Sequence, residues 1–199
     1  MSGLSTTAQG IVAELLFTVL LILGSDGQLE VSRPVTDDER RDIETHIRGL
    51  FLQGLIFQVK STTYFEHRFK ARHLEIHFDV EKDRLLSHPL YWYLFAYLDV
   101  EAMGLAEPLF LVPSDEVHRY ATPKLTEKGW SFNFNASLEP DAKDHWHKFQ
   151  LSKRELATRV LAIIQSQKPS TTPMLAGPEQ HLPPGAILVR HVAFPSGES

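Results

Sequence analysis

Residues 54 to 62 read GLIFQVKST, a short apolar run that carries a glutamine and a lysine two positions apart, Gln58 and Lys60. In an extended strand alternate side chains leave on the same face, so these two share one side while Phe57 and Val59 take the other. Upstream, DIETHI alternates in the same way, with Asp42, Glu44 and His46 pointing one way and Ile43, Thr45 and Ile47 the other. A hairpin folded about Leu50 sets Asp42 across from Gln58, and a slip of one residue would put them on opposite faces. The expectation is a core strand that presents a polar pair beside a carboxylate. Because the chain has no cysteine, any metal it binds must be held by oxygen or imidazole.

The elements that would position these groups follow from periodicity. Apolar residues at Val12, Leu15, Leu16, Val19, Leu20 and Leu23 have the i, i+3, i+4, i+7 spacing of a helix lying on a core, ended by Gly24, Asp26 and Gly27. QLEVSRPV is expected as a strand closed by Pro34. DIETHI and LIFQVKS should pair antiparallel, with the turn near Arg48 and Gly49 or at Gln53 and Gly54. Further strands are expected at HLEIHFDV, YWYLFAYLDV, PLFLVPSDEV and WSFNFNAS, a short helix or turn at EKDRLLSHP, and a closing helix at SKRELATRVLAIIQSQ. This order describes an α/β or α+β domain with a mixed sheet. After Gln167 six of the twelve prolines fall between Pro169 and Pro195, so the chain divides into a domain over 1–167 and a Pro/Gly-rich tail over 168–199. The AILVRHVAF run of that tail either docks as an edge strand or binds a protein partner.

Composition narrows the function classes. With 43% hydrophobic and 23% charged residues in 199, the chain is an ordinary globular one. The absence of cysteine excludes disulfides, zinc fingers, iron–sulfur clusters and thiol catalysis, and permits a cytoplasmic setting. A net charge of −5 argues against a protein coated with nucleic acid, although Arg68, Lys70 and Arg72 alternate along HRFKARH in a way that suits phosphate contact. IVAELLFTVLLILG is short for a bilayer, holds Glu14 and lacks a basic region before it, so it reads as a core helix and no membrane partner is expected. The histidines of HWH, and His73 and His77 beside Asp79, lack the spacing of a zinc site. Nucleophile-elbow, phosphate-loop and dinucleotide glycine motifs are missing.

The order of Glu14 in a first helix (QGIVAELL), Asp42 at the start of a strand (RRDIETHI) and Gln58 with Lys60 on the next (FQVKST) resembles the PD-(D/E)XK nuclease superfamily. The Gln variant is similar to that of Mrr-like restriction enzymes and of small nuclease-like domains related to them and to archaeal Holliday-junction resolvases. The resemblance covers residues 9 to 62 well and the rest in outline, and RRD stands where the superfamily has its proline. It implies a restriction-endonuclease-like α/β core, a mixed central sheet flanked by helices, and hydrolysis of DNA phosphodiesters with Mg²⁺, or Mn²⁺ in its place. It further implies Asp42 as the main ligand, Gln58 and Glu14 completing the shell, and Lys60 stabilising charge on the phosphate. A homodimer would be the expected assembly where both strands are cut.

Each of these residues also has a plain structural reading. Glu14 can face solvent from the helix, Asp42 can pair with Arg40 or Arg41, and Gln58 with Lys60 can form the exposed side of an amphipathic strand. Glu44 shares Asp42's face as a second acid, and Gln9 can serve the helix start. At the level of function, the alternatives are a catalytically inactive member of the same fold that binds nucleic acid or protein, and an unrelated α/β protein.

Overall fold

Ser5 opens the first helix by accepting a hydrogen bond on its hydroxyl from the Ala8 amide, and α1 then runs Thr6–Gly24. It stops where Asp26 and Gly27 take positive φ angles of 50° and 70°, the left-handed turn that the sequence Gly-Ser-Asp-Gly suits. The structure, a computed structural model, describes residues 4–34, 41–50, 54–68 and 71–167. These lie in a unit spanning Met1–Pro169, and the tail with its AILVRHVAF run lies outside the described residues.

The strands follow in the order β1 (Leu29–Ser32), β2 (Ile43–Ile47), β3 (Gly54–Thr62), β4 (Glu66–Arg68), β5 (Ala71–Glu81), β6 (Tyr91–Asp99) and β7 (Gly104–Pro113). Helix α2 (Ser114–Tyr120) precedes β8 (Lys124–Thr126), β9 (Gly129–Ser137) and β10 (Gln150–Leu151), and α3 (Lys153–Ser166) closes the domain. They form a mixed α/β architecture. One sheet has six strands in the order β1-β2-β3-β6-β7-β10, and a second has four in the order β4-β5-β9-β8. In the first, only β3 and β6 run parallel.

Two cores follow from this layering. On one face of the six-stranded sheet, Phe57, Val59, Leu94 and Leu111 pack with Phe17 of α1 and Leu156, Val160 and Ile164 of α3. On the other face, Tyr91, Tyr93, Phe95 and Phe110 pack with Leu74, Phe132 and Phe134 of the second sheet. A ladder of stacked rings runs through that layer, with Phe95 and Phe134 centroids 3.9 Å apart. The sequence anticipated the mixed sheet and the two long helices; it did not anticipate that helices would cover one face and a second sheet the other.

Two expectations need correction. Helix α1 buries only part of the stripe through Val12, Leu15, Leu16, Val19, Leu20 and Leu23: Leu16 and Leu20 are half-buried against the core, the other four are exposed, and the fully buried residues are Ala13, Phe17 and Leu21. The helix is apolar on every side, so periodicity alone could not choose a face. Phe17 decides it by setting its ring edge-on to Phe57 at 5.1 Å, with small Ala13 one turn before it. The second correction concerns PLFLVPSDEV, whose strand ends at Pro113 while Ser114 to Tyr120 form α2. Asp115 and Glu116 in the first turn favour that helix start.

Candidate functional site

The β2–β3 hairpin turns at Arg48 and Gly49, where Gly49 has φ 80° and the Leu50 amide donates to the Ile47 carbonyl. Gly54 is required where β3 begins, because a Cβ there would lie 2.5 Å from the Thr45 carbonyl oxygen. Pairing of Ile43 with Phe57, Glu44 with Ile56 and Thr45 with Leu55 fixes the register, and the regular ladder ends just before Asp42. The Asp42 amide donates to the Phe57 carbonyl at 3.1 Å. Its side-chain Oδ2 in turn accepts from the Val59 amide at 2.7 Å, so the carboxylate takes over the ladder position that β2 vacates.

Gln58 and Lys60 leave β3 on the face away from α1, toward the second sheet. Gln58 is only 5% exposed, and its Oε1 accepts a hydrogen bond from the Tyr91 hydroxyl at 2.7 Å. A buried amide without such a donor would cost about 1–3 kcal/mol, so Tyr91 is what allows a polar side chain here. Lys60 is half-buried, with Nζ 5.9 Å from the centre of the Phe78 ring on β5. Charged groups beneath an aromatic roof interact more strongly than they would in water.

The other candidates are distributed as follows. Glu14 projects from α1 and its carboxylate engages Arg33, beyond the end of β1. Gln9 of α1 donates to the Ser61 carbonyl at 2.6 Å and so ties the helix start to the end of β3. Glu44 accepts from Arg41 at 2.6 Å. Arg68 belongs to β4, opposite Ala71, and Lys70 lies outside the described residues. Arg72 is exposed, its guanidinium 5.6 Å from the Phe65 ring, and Phe65 stacks on Tyr97, the register partner of Thr62. Arg72 therefore stands near the end of β3 that carries Lys60. Among the described residues no three His, Asp or Glu groups cluster to hold a metal ion. Of the HWH histidines, His145 serves pairing, its Nε2 lying 2.6 Å from Glu116, which Lys148 also approaches at 3.3 Å. Burial pushes the Glu116 carboxyl up, but these two partners outweigh it and hold the group below its ordinary range.

Sequence reasoning missed Tyr91 and His118. Tyr91 sat inside YWYLFAYLDV, read only as a strand, and its role depends on the parallel register that brings β6 beside β3. His118 of α2 is bracketed by the Ser87 hydroxyl at Nδ1 (2.5 Å) and the Tyr93 hydroxyl at Nε2 (2.9 Å). Burial lowers its pKa to about 4, against a weaker opposing pull from Asp115. Nothing in the local sequence VHRY announces that environment.

No protein-family model matches the chain, and no curated protein matches it in sequence. Among solved structures the chain is similar to a bacterial homing endonuclease at 15% identity, the match covering 82% of this chain and 99% of that one with a TM-score of 0.47.

Proposed function

We propose that the protein is a metal-dependent nuclease of the PD-(D/E)XK kind, hydrolysing DNA phosphodiester bonds in the cytoplasm. The observation that supports this reading is the bond from the Val59 amide to the Asp42 carboxylate, which holds that acid against the stretch of β3 between Gln58 and Lys60. The donors suit a hard divalent ion, because Asp42 supplies a carboxylate and Gln58 an amide oxygen. The Val59 carbonyl, which leaves the strand on the same side as the amide that Asp42 accepts, is a third oxygen. Mg²⁺ or Mn²⁺ would be held principally by Asp42, with Gln58 beside it. Glu14, on α1 across β3 from Gln58 and Lys60 and engaged by Arg33, stands outside that shell. When bound, the ion polarises the phosphate and acidifies a water.

The chain's own residues do the rest. Tyr91 fixes the Gln58 amide so that its oxygen keeps one orientation. Lys60 donates to the phosphate oxygens on which charge grows, and the ring of Phe78 limits water around it. Arg68, Lys70 and Arg72 contact the flanking backbone phosphates. A second reading, a catalytically inactive module of this fold that binds nucleic acid or a protein partner, draws support from one observation: the Gln58 oxygen is neutral and already accepts from Tyr91.

Incubation of supercoiled plasmid with the protein and Mg²⁺ or Mn²⁺ separates the two. The nuclease reading expects nicking that Asp42→Asn and Lys60→Ala abolish and that chelation stops. Equal nicking by wild type and both variants would refute it, and retention of DNA without cleavage would favour the binding module.

A further inference from the structure

We infer that the chain just beyond Lys60 holds an unpaired base of the DNA strand stacked on Tyr64, so that the site selects DNA with unpaired nucleotides beside the bond to be cut. This selectivity rests on the nuclease reading and names the substrate of the same site. Tyr64 lies in the turn from β3 to β4, and its side of the surface is open: the residue is 59% exposed. The turn itself is anchored, because the Tyr64 amide donates to the Thr62 hydroxyl and that hydroxyl donates to the Tyr64 carbonyl, both at 3.4 Å. Thr62 is buried, so the ring is carried on a fixed support.

The neighbours make this more than a stray exposed ring. Strands β3 and β6 run parallel, with Lys60 beside Phe95 and Thr62 beside Tyr97. Tyr97 and Phe65 pack against the core between the two sheets, the side to which Lys60 points. Their rings stack at 3.7 Å, and the exposed Arg72 sets its guanidinium 5.6 Å from Phe65. An amide, an ammonium, stacked rings and a guanidinium therefore follow one another along β3 and past its end. Tyr64 comes four residues after Lys60, at most about 14 Å of extended chain, a span of a few nucleotides. Apolar surface continues into the β6–β7 turn, where Val100 is half exposed and Met103 is 83% exposed. Aromatic faces beside cations are the pattern by which proteins hold single strands: a ring accepts any base whose own face is free, while the cation meets the backbone. Arginine resting on a ring keeps its donors for phosphate. A fully paired base offers no free face, since both are stacked on its neighbours in the duplex.

Cleavage of two end-labelled oligonucleotide duplexes by the full chain in Mg²⁺ tests this, one duplex fully paired and the other carrying a short unpaired bulge in the labelled strand. The wild type should cut the bulged strand roughly tenfold faster or more, the effect of a single stacked base. Tyr64→Ala should bring that ratio close to one, and Tyr64→Phe, which keeps the ring, should preserve it. Tyr120→Ala removes an exposed ring on α2, at the opposite end of β6, and should preserve it too. If Tyr64→Ala fails to fold, Tyr64→Leu keeps apolar bulk without an aromatic face and takes its place. Equal cutting of both duplexes by the wild type, or a preference that survives Tyr64→Ala, overturns the inference and leaves the nuclease reading standing. Retention of the bulged duplex without cutting, weakened by Tyr64→Ala, upholds the base contact on a binding module. Neither cutting nor retention of any DNA overturns the inference together with the nuclease reading.

Discussion

The two faces of β3 are buried to nearly the same degree and held by different physics. Val59 is 6% exposed and Gln58 5%, yet Val59 rests among carbon atoms of the helix-side core while Gln58 depends on one directed bond from Tyr91. Shape stabilises the first face, so it tolerates apolar replacements of similar volume. The second tolerates only groups whose hydrogen bonds are answered. Depth of burial therefore does not separate structural from chemical residues in this strand; the nature of the neighbours does.

That contrast can be tested by substitutions on either side, beginning with the largest effect. Phe57→Ala removes the ring against which Phe17 sets its edge and should destabilise the domain by about 3–5 kcal/mol in urea unfolding. Lys60→Ala, on the opposite face, should lower nicking by roughly 10²–10³-fold, while unfolding free energy changes by less than about 1 kcal/mol. If Lys60→Ala proves as destabilising as Phe57→Ala, the distinction between the faces fails. Tyr91→Phe keeps the ring and deletes the donor to Gln58, and should cost about 1–3 kcal/mol of stability; an unchanged midpoint would mean that water reaches the amide.

The smallest effect is a pH dependence in the aromatic layer. His118 titrates near 4 when folded and near its ordinary 6.5 when unfolded, because burial disfavours its charged form. As pH falls below 6.5 the unfolded chain takes up the proton first, so the stability present above 6.5 is lost progressively down to about 4. Allowing for the exposed part of the ring, the loss is on the order of 1–2 kcal/mol. Urea midpoints measured across that interval should slope less in His118→Gln than in the wild type.

Legibility in the sequence tracked how local the determining interactions are. Helix α3 was readable because its signals are its own: Ser152 and Glu155 form a reciprocal capping box, and Leu156, Val160 and Ile164 make a single buried stripe. The antiparallel pairing of β2 with β3 was readable too, since two alternating runs follow each other closely in the sequence. Helix α1 carries no polar side to orient it, and its buried stripe was chosen by Phe57, 40 positions away from Phe17. The second sheet pairs β5 with β9 across a gap that contains β6, β7 and α2, so no window of sequence reports it. Tyr91 and His118 were missed for that reason, because their polar tips find partners only after distant strands have met. The Glu14 carboxylate likewise depended on where Arg33 would stand.

Parallel strands cannot be joined by a tight turn, and the excursion that returns the chain from β3 to β6 contains β4 and β5. The same stretch that closes the central pair also carries Phe78, whose ring stands 5.9 Å from the Lys60 Nζ, and it is anchored at its far side to β9. The surroundings of Lys60 and the integrity of the scaffold are written in one length of chain. Changes in the short links at either end of this excursion would shift the ring above Lys60 and leave every strand of the main sheet in place.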